Sequence, residues 1–223
     1  MRYPFIAVEG LDGTGKTTLR KGMFRLWEGL YGVTPLCVLT TNFLAPDVAT
    51  DIVSGKYQPS SENRDAYLAA IGTDKRAALE RLVLPQQTAR PVIADRWLLS
   101  ELAFFAVRHD MKPTETYRRL SAAVTCAPDL TFVLDLHPSE SLRRAHARPG
   151  DAVRPDWDVQ NVQNRVRDVY DAVATQPDAY PLLGEVVRLD SARSRSALLL
   201  AAWDVMRERG LVPPSPTEEN NHA

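Results

Sequence analysis

The chain has 223 residues, 44% of them hydrophobic and 25% charged, with a formal net charge of −1. That length holds a sizeable core in one or two domains. The near-neutral balance gives no reason to expect a nucleic-acid or anionic-membrane partner, and no apolar run approaches the roughly 20 residues that span a bilayer.

In chain order, residues 5–9 read as a buried strand that ends in Gly10-x-x-x-x-Gly15-Lys16-Thr17, and an amphipathic helix over 16–31 follows at once. Strand, glycine-rich turn and helix in that order form the context of a phosphate-binding P-loop. Glycines let the backbone curl so that several N–H groups face one anion, and the helix N-terminus adds partial positive charge. This predicts a nucleoside triphosphate site built from Gly10, Gly13, Thr14, Gly15, Lys16, Thr17 and Thr18. Lys16 would reach the outer phosphates of ATP, and the Thr17 hydroxyl would take one position on Mg2+.

A second short strand is predicted over 35–40, a short helix over 46–54 and a polar loop over 55–63. A long helix follows over 64–88, carrying Tyr67, Leu68, Ile71, Leu79 and Leu82. The third strand, 91–95, ends in Asp95-Arg96-Trp97, where the acid suits magnesium and the arginine a phosphate. Helices are predicted over 98–108, 114–125, 139–147, 157–174 and 194–209, and strands over 130–135 and 185–189. Strands alternating with helices predict an α/β fold, a five-stranded parallel sheet covered on both faces. Around a Pro-Gly break, Arg143, Arg144, Arg148 and Arg154 suggest a lid over about 143–157 that closes on the phosphates. One domain over 1–212 is expected, with a disordered proline-rich tail over 213–223. Cys37 and Cys126 are predicted to be buried free thiols. With no signal-peptide pattern, a cytoplasmic location is expected. His109, His137, His146 and His222 show no metal-ligand spacing with the cysteines. Trp27, Trp157 and Trp203 read as core or interface residues at helical spacing.

Four stretches together resemble the thymidylate kinase family of P-loop nucleoside monophosphate kinases. They are Phe5-Ile-Ala-Val-Glu9-Gly-Leu-Asp12-Gly-Thr-Gly-Lys-Thr-Thr18, Val92-Ile-Ala-Asp95-Arg96-Trp97-Leu-Leu-Ser100, Pro128-Asp-Leu-Thr-Phe-Val-Leu-Asp135 and Gln163-Asn-Arg165-Val-Arg-Asp-Val-Tyr170. The resemblance runs in register from about residue 4 to 205. It implies transfer of the ATP γ-phosphoryl group to a nucleoside monophosphate, with a mobile lid and commonly a homodimer. It also implies roles: Asp12 near the acceptor, Asp95 organising magnesium, Arg96 on the acceptor phosphate, and Arg148 and Arg154 as the basic lid residues in catalysis. Apolar surface on the helices over 98–108 and 114–125 offers an interface for the dimer.

The sequence departs from the family where thymidylate is recognised. The family's Arg-Glu-Pro-Gly-like block is replaced by Thr40-Thr41-Asn42-Phe43, its Asp-Arg pair by Asp74-Lys75, and its base-stacking ring by Ile71. Its small polar residue near the base is Glu101 and its tyrosine is Phe104. Losing a stacked ring forfeits about 1–3 kcal/mol. A carboxylate suits an exocyclic amine better than the oxygens of thymine. Two readings therefore stand. In one, Ile71, Lys75, Glu101 and Phe104 shape a pocket for another nucleotide, or for a phosphorylated metabolite without a base. In the other, Glu101 faces solvent and Phe43 or Tyr67 supplies the stacking ring. A P-loop GTPase would need an Asn-Lys-x-Asp segment, which is absent. A nucleotide-binding protein without catalysis is opposed by the joint presence of Lys16, Thr17, Asp95 and Arg96.

Overall fold

A computed structural model describes residues 2–40, 42–57, 63–147, 154 and 156–214. Among them, five strands form one sheet: β1 (Phe5–Gly10), β2 (Leu36–Leu39), β3 (Val92–Asp95), β4 (Leu130–Asp135) and β5 (Glu185–Asp190). Their order is β2-β3-β1-β4-β5 and every pairing is parallel. A parallel sheet sends all its carboxyl ends to one edge. Because β1 lies between β3 and β4, that edge opens a crevice beside β1, where ligands of such sheets bind.

The inner strands are mostly apolar because both faces are covered, with acids at or near their carboxyl ends: Glu9, Asp95 and Asp135. Phe5 and Ala7 of β1 pack on one face with Val92, Ala94, Trp97 and Phe105. This side is covered by α3 (Arg64–Ala78), α5 (Leu98–His109), α6 (Pro113–Leu120) and α8 (Gln160–Ala174). Ile6 and Val8 turn the other way, toward α1 (Lys16–Tyr31) and α9 (Arg195–Glu208). There Met23, Trp27, Trp203 and Met206 fill the space, with the Trp27 and Trp203 rings edge to face at 5.7 Å. Helix α1 stops at Gly32, whose left-handed φ of 66° lets its N–H return to the Glu28 carbonyl.

Several expectations need correction. The helix predicted over 64–88 is broken: α3 passes through a π turn, Leu79–Val83, into a single turn, α4 (Leu84–Gln86). Pro85 has no N–H to give the preceding turn, and the wider turn accommodates it. The helix expected over 114–125 ends at Leu120. The one expected from 157 starts at Gln160, so Trp157 lies in a turn before α8 and not on a helix. Cys37 and Cys126 are free, as expected, but half-buried. The apolar residues of α5 (Leu98, Leu99, Leu102, Phe105) are buried within the chain itself, and so do not form the external face suggested for a dimer. The remaining helices are α2 (Pro46–Val53) and α7 (Pro138–His146). Most of the polar loop 55–63, the centre of the lid including Arg148, and the tail from 215 onward lie outside the described residues. At Pro213 the chain is still attached, its carbonyl accepting from the Tyr31 hydroxyl at 2.7 Å.

Candidate active site

The turn after β1 is held from behind by two serines. Ser141 Oγ of α7 donates to the Asp12 carbonyl, and Ser191 Oγ, just past β5, donates to the Thr14 carbonyl. Glycines at 10, 13 and 15 take φ values of 139°, 89° and 96°, a region that side chains resist. At Gly13 space is also closed: a Cβ would lie 2.1 Å from the Ser141 carbonyl oxygen. We expect Gly13→Ala to lower the unfolding free energy by about 2–4 kcal/mol, through strain and overpacking together, and urea titration of both proteins checks this.

Gly15 leads into α1 with no side-chain cap and no acidic residue in the first turn. The first N–H groups of a helix have no intrahelical acceptor, so this end presents donors and partial positive charge to an anion. Lys16 is buried and folds back on its own turn, Nζ donating to the carbonyls of Gly10 (3.0 Å) and Leu11 (2.7 Å). Burial first, then the Arg96 charge, lowers its ammonium pKa to about 7, against the opposing pull of Asp12, Asp95 and Glu9. A bound polyphosphate would supply the negative charge that favours the protonated form. Thr17 Oγ1 donates to Asp95 Oδ2 at 3.4 Å, and Arg20 Nε lies 3.5 Å from the same oxygen. A hydroxyl and a carboxylate side by side at the head of α1 are an oxygen-only donor set. That chemistry fits Mg2+, which would keep waters and phosphate oxygens as its other ligands.

Arg96 joins the third strand to this turn. Its residue holds φ at 72°, uncommon for any non-glycine, and its N–H still bonds to the Val8 carbonyl at 2.9 Å. Nη1 donates to the Gly10 carbonyl (2.9 Å), Ser100 Oγ (3.1 Å) and Tyr170 OH (3.4 Å), while Nη2 pairs with Asp12. Beneath it, fully buried Glu9 accepts from the Trp97 N–H at 2.8 Å, the Ser100 N–H at 3.2 Å and Ser100 Oγ, and so caps α5. Burial raises the Glu9 pKa in spite of these donors and Arg96. Asp12 also takes Arg154 Nη2, from the far side of the lid segment. Burial opposes ionisation of Asp12, but Arg96, Lys16 and Arg154 together hold its carboxyl well below the usual carboxylate range.

The turn separates two clefts. One, of about 480 Å³, is lined by Gly13, Gly15, Thr18, Arg143, Arg144, Arg193 and Arg195 among others. The other, of about 550 Å³, is lined by Asp12, Thr40, Phe43, Tyr67, Ile71, Arg96, Ser100, Glu101, Phe104, Arg108, Arg154 and Trp157. The first is rich in arginine, and the second, the aromatic cleft, carries four aromatic rings together with Asp12, Arg96 and Arg154.

The family model described as thymidylate kinase matches residues 47–183, well over half of the chain. The chain belongs to the thymidylate kinase family. It is 26% identical over 212 residues to a thymidylate kinase from Leptospira borgpetersenii serovar Hardjo-bovis, covering 90% of this chain and 92% of that protein. A thymidylate kinase of Mycoplasmopsis pulmonis is 26% identical over 211 residues, 92% of this chain and 88% of its own. One from Aster yellows witches'-broom phytoplasma is 29% identical over 172 residues, 74% and 80% of the two chains. As a member of this family the protein is an ATP-dependent kinase that moves a phosphoryl group to a nucleoside monophosphate. Among the described residues, no helix is long and apolar enough to cross a membrane.

Against the thymidylate kinase pattern, the residues picked from sequence do not all meet. Asp12, Lys16, Thr17, Asp95, Arg96 and Arg154 converge on the turn. The lid arginines divide: Arg143 and Arg144 border the arginine-rich cleft, Arg154 the aromatic one. Ile71, Glu101 and Phe104 line the aromatic cleft, but Lys75 does not. It sits behind the wall, only 3% exposed, with Nζ 3.0 Å from Glu101 Oε1, 3.3 Å from Thr40 Oγ1 and 4.8 Å from the centre of the Trp97 ring. Asp74, the other half of that sequence pair, accepts from the N–H groups of Leu44 and Ala45 and anchors the start of α2. Sequence reasoning missed Trp157, Arg108, Ser100 and Tyr170. Trp157 reads from sequence as a core or interface residue, yet its ring lines the cleft, 5.8 Å from the Phe104 ring and 5.1 Å from the Arg108 guanidinium.

Proposed function

We propose that the P-loop of this kinase holds ATP with Mg2+, that Arg96 and Arg154 hold the acceptor phosphate, and that the aromatic cleft takes the acceptor's nucleoside. The observation that carries this reading is the meeting of Lys16, Asp12, Arg96 and Arg154 at the one turn that divides the two clefts. Gly10, Gly13, Thr14, Gly15, Thr17 and Thr18 supply the backbone and hydroxyl groups of the phosphate cradle, and Arg148 remains a second basic lid residue in this assignment.

In the reaction an oxygen of the acceptor phosphate forms a new bond to the γ-phosphorus as the bond to the departing ADP oxygen breaks. That oxygen is already anionic, so no residue has to remove a proton. The protein's work is positioning and charge. Lys16 leaves its own carbonyls for the phosphates, and Arg96, fixed by Gly10, Ser100 and Tyr170, presents its remaining donor edge to the acceptor. Arg154 adds positive charge from the lid side as negative charge spreads over the transferring group. Asp12 orients both arginines and is a poor general base, because the neighbouring positive charges lower its affinity for a proton. Thr17 and Asp95 are the residues that would hold magnesium, whose charge would offset that of the phosphates when bound. We place the reaction in the cytoplasm, where nucleotide pools lie.

The test is product identity. The full chain, given ATP, MgCl2 and a set of nucleoside monophosphates, is expected to form a nucleoside diphosphate in amounts equal to the ADP released, read by anion-exchange chromatography. ADP release without a matching diphosphate, or no ADP at all, would overturn the proposal.

A further inference from the structure

We propose that the acceptor's base carries an exocyclic amine, and that Glu101 reads it; this rests on the nucleoside occupying the aromatic cleft. Glu101 lies in the first turn of α5 and lines that cleft, yet its side chain is only 8% exposed. It does not face open solvent, which removes that half of the second reading open from sequence, although Phe43 and Tyr67 do line the cleft. Its Oε1 lies 3.0 Å from Lys75 Nζ as an ion pair, and among the described residues no hydrogen-bond donor is aligned on that oxygen and Glu101 has no other ion-pair partner. Lys75 is itself walled in behind the cleft by Trp97 and Thr40 and offers no donor to a ligand. What the pair presents to the cleft is therefore an acceptor.

A base bound in the cleft would cover the other carboxylate oxygen, and covering it without supplying a donor is costly, so a ligand that brings an N–H is favoured. Cytosine, adenine and guanine each bring an NH2 group. Thymine and uracil can offer Glu101 only the ring N3–H, and the two carbonyl oxygens that flank it then face the carboxylate as like acceptors, whereas an exocyclic amine donates without that repulsion. Sites built around one such bond discriminate strongly, because the wrong base leaves the buried group unpaired. Aromatic faces are also in place: Trp157 and Phe104, with ring centres 5.8 Å apart and tilted by 43°, both line the cleft and offer the ring surface that Ile71 does not.

The experiment measures kcat/KM with saturating ATP and MgCl2 for ribo- and deoxynucleoside monophosphates of all five bases. The best amine-bearing base is expected to exceed thymine and uracil at least tenfold. Glu101→Gln, which exchanges an acceptor-only group for one that also donates, is expected to shrink that advantage at least tenfold. Should the lone Lys75 charge prevent folding of this variant, the double variant Lys75→Met/Glu101→Gln replaces it. A preference for thymidine or uridine monophosphate in the native chain, equal use of all bases, or an unchanged ratio in the Gln variant overturns the proposal while leaving the kinase reading intact. Failure to phosphorylate any monophosphate would instead strike the kinase reading itself.

Discussion

Lys16→Ala is expected to lower kcat for phosphoryl transfer by about 10²–10³-fold, the effect of removing one preorganised charge from the transferring group. The change in fold should be small by comparison. Lys16 is buried with its pKa pulled down to about 7, so the native chain carries it at a cost that alanine removes. Against that, the Gly10 and Leu11 carbonyls lose their donor. Circular dichroism melting within a few degrees of the native chain, combined with the loss in kcat, would assign the effect to chemistry. Lys16→Arg should not restore activity, because a planar fork cannot occupy a space shaped for an ammonium. Retention of more than a tenth of native kcat in Lys16→Ala would contradict the role given to this residue.

Arg96→Ala should damage both activity and stability. The guanidinium contacts Gly10, Ser100, Tyr170 and Asp12, and its charge also offsets that of buried Glu9. Its removal leaves two carboxylates facing each other's surroundings without their principal cation. Removing one partner of a fully buried pair costs 3–5 kcal/mol; here the side chains of Arg96 and Asp12 are 26% and 27% exposed, and a loss of about 2 kcal/mol is expected. The kcat/KM for the acceptor should fall by about 10³-fold, with the affinity for ATP little altered. Arg96→Gly offers an internal control: at φ 72° glycine avoids the strain that alanine retains, and should unfold about 1 kcal/mol later than Arg96→Ala while being equally inactive. Equal stability of the two would mean the left-handed backbone at 96 is not strained.

Those two residues were also the ones most readable from sequence, and for a local reason. A strand, a glycine turn and a helix start within fourteen residues, 5–18, specify the phosphate cradle without help from the rest of the chain. The Asp95-Arg96 pair follows an apolar strand, and a parallel sheet carries every strand end to the same edge. What periodicity could not convey are the contacts made across long separations. Ser141 and Ser191 reach the turn over 129 and 177 residues, and nothing near either serine marks it. Trp157 was misplaced because the residues after it continue with helical spacing. In the structure the Asp158 carboxylate takes the Arg154 N–H and guanidinium, which closes a turn and delays α8 to Gln160. Lys75 looked like a ligand residue because it occupies a family position. Its burial against Glu101 depends on how α3 and α5 pack, which one sequence does not disclose.

The two serine props bear on what happens when a nucleotide arrives. Because Ser141 and Ser191 hold the carbonyls of Asp12 and Thr14 from the protein side, the backbone of the cradle has its curvature before any anion reaches it. The conformational entropy of shaping that turn has been spent during folding, so little of the polyphosphate's interaction free energy goes into ordering its receptor.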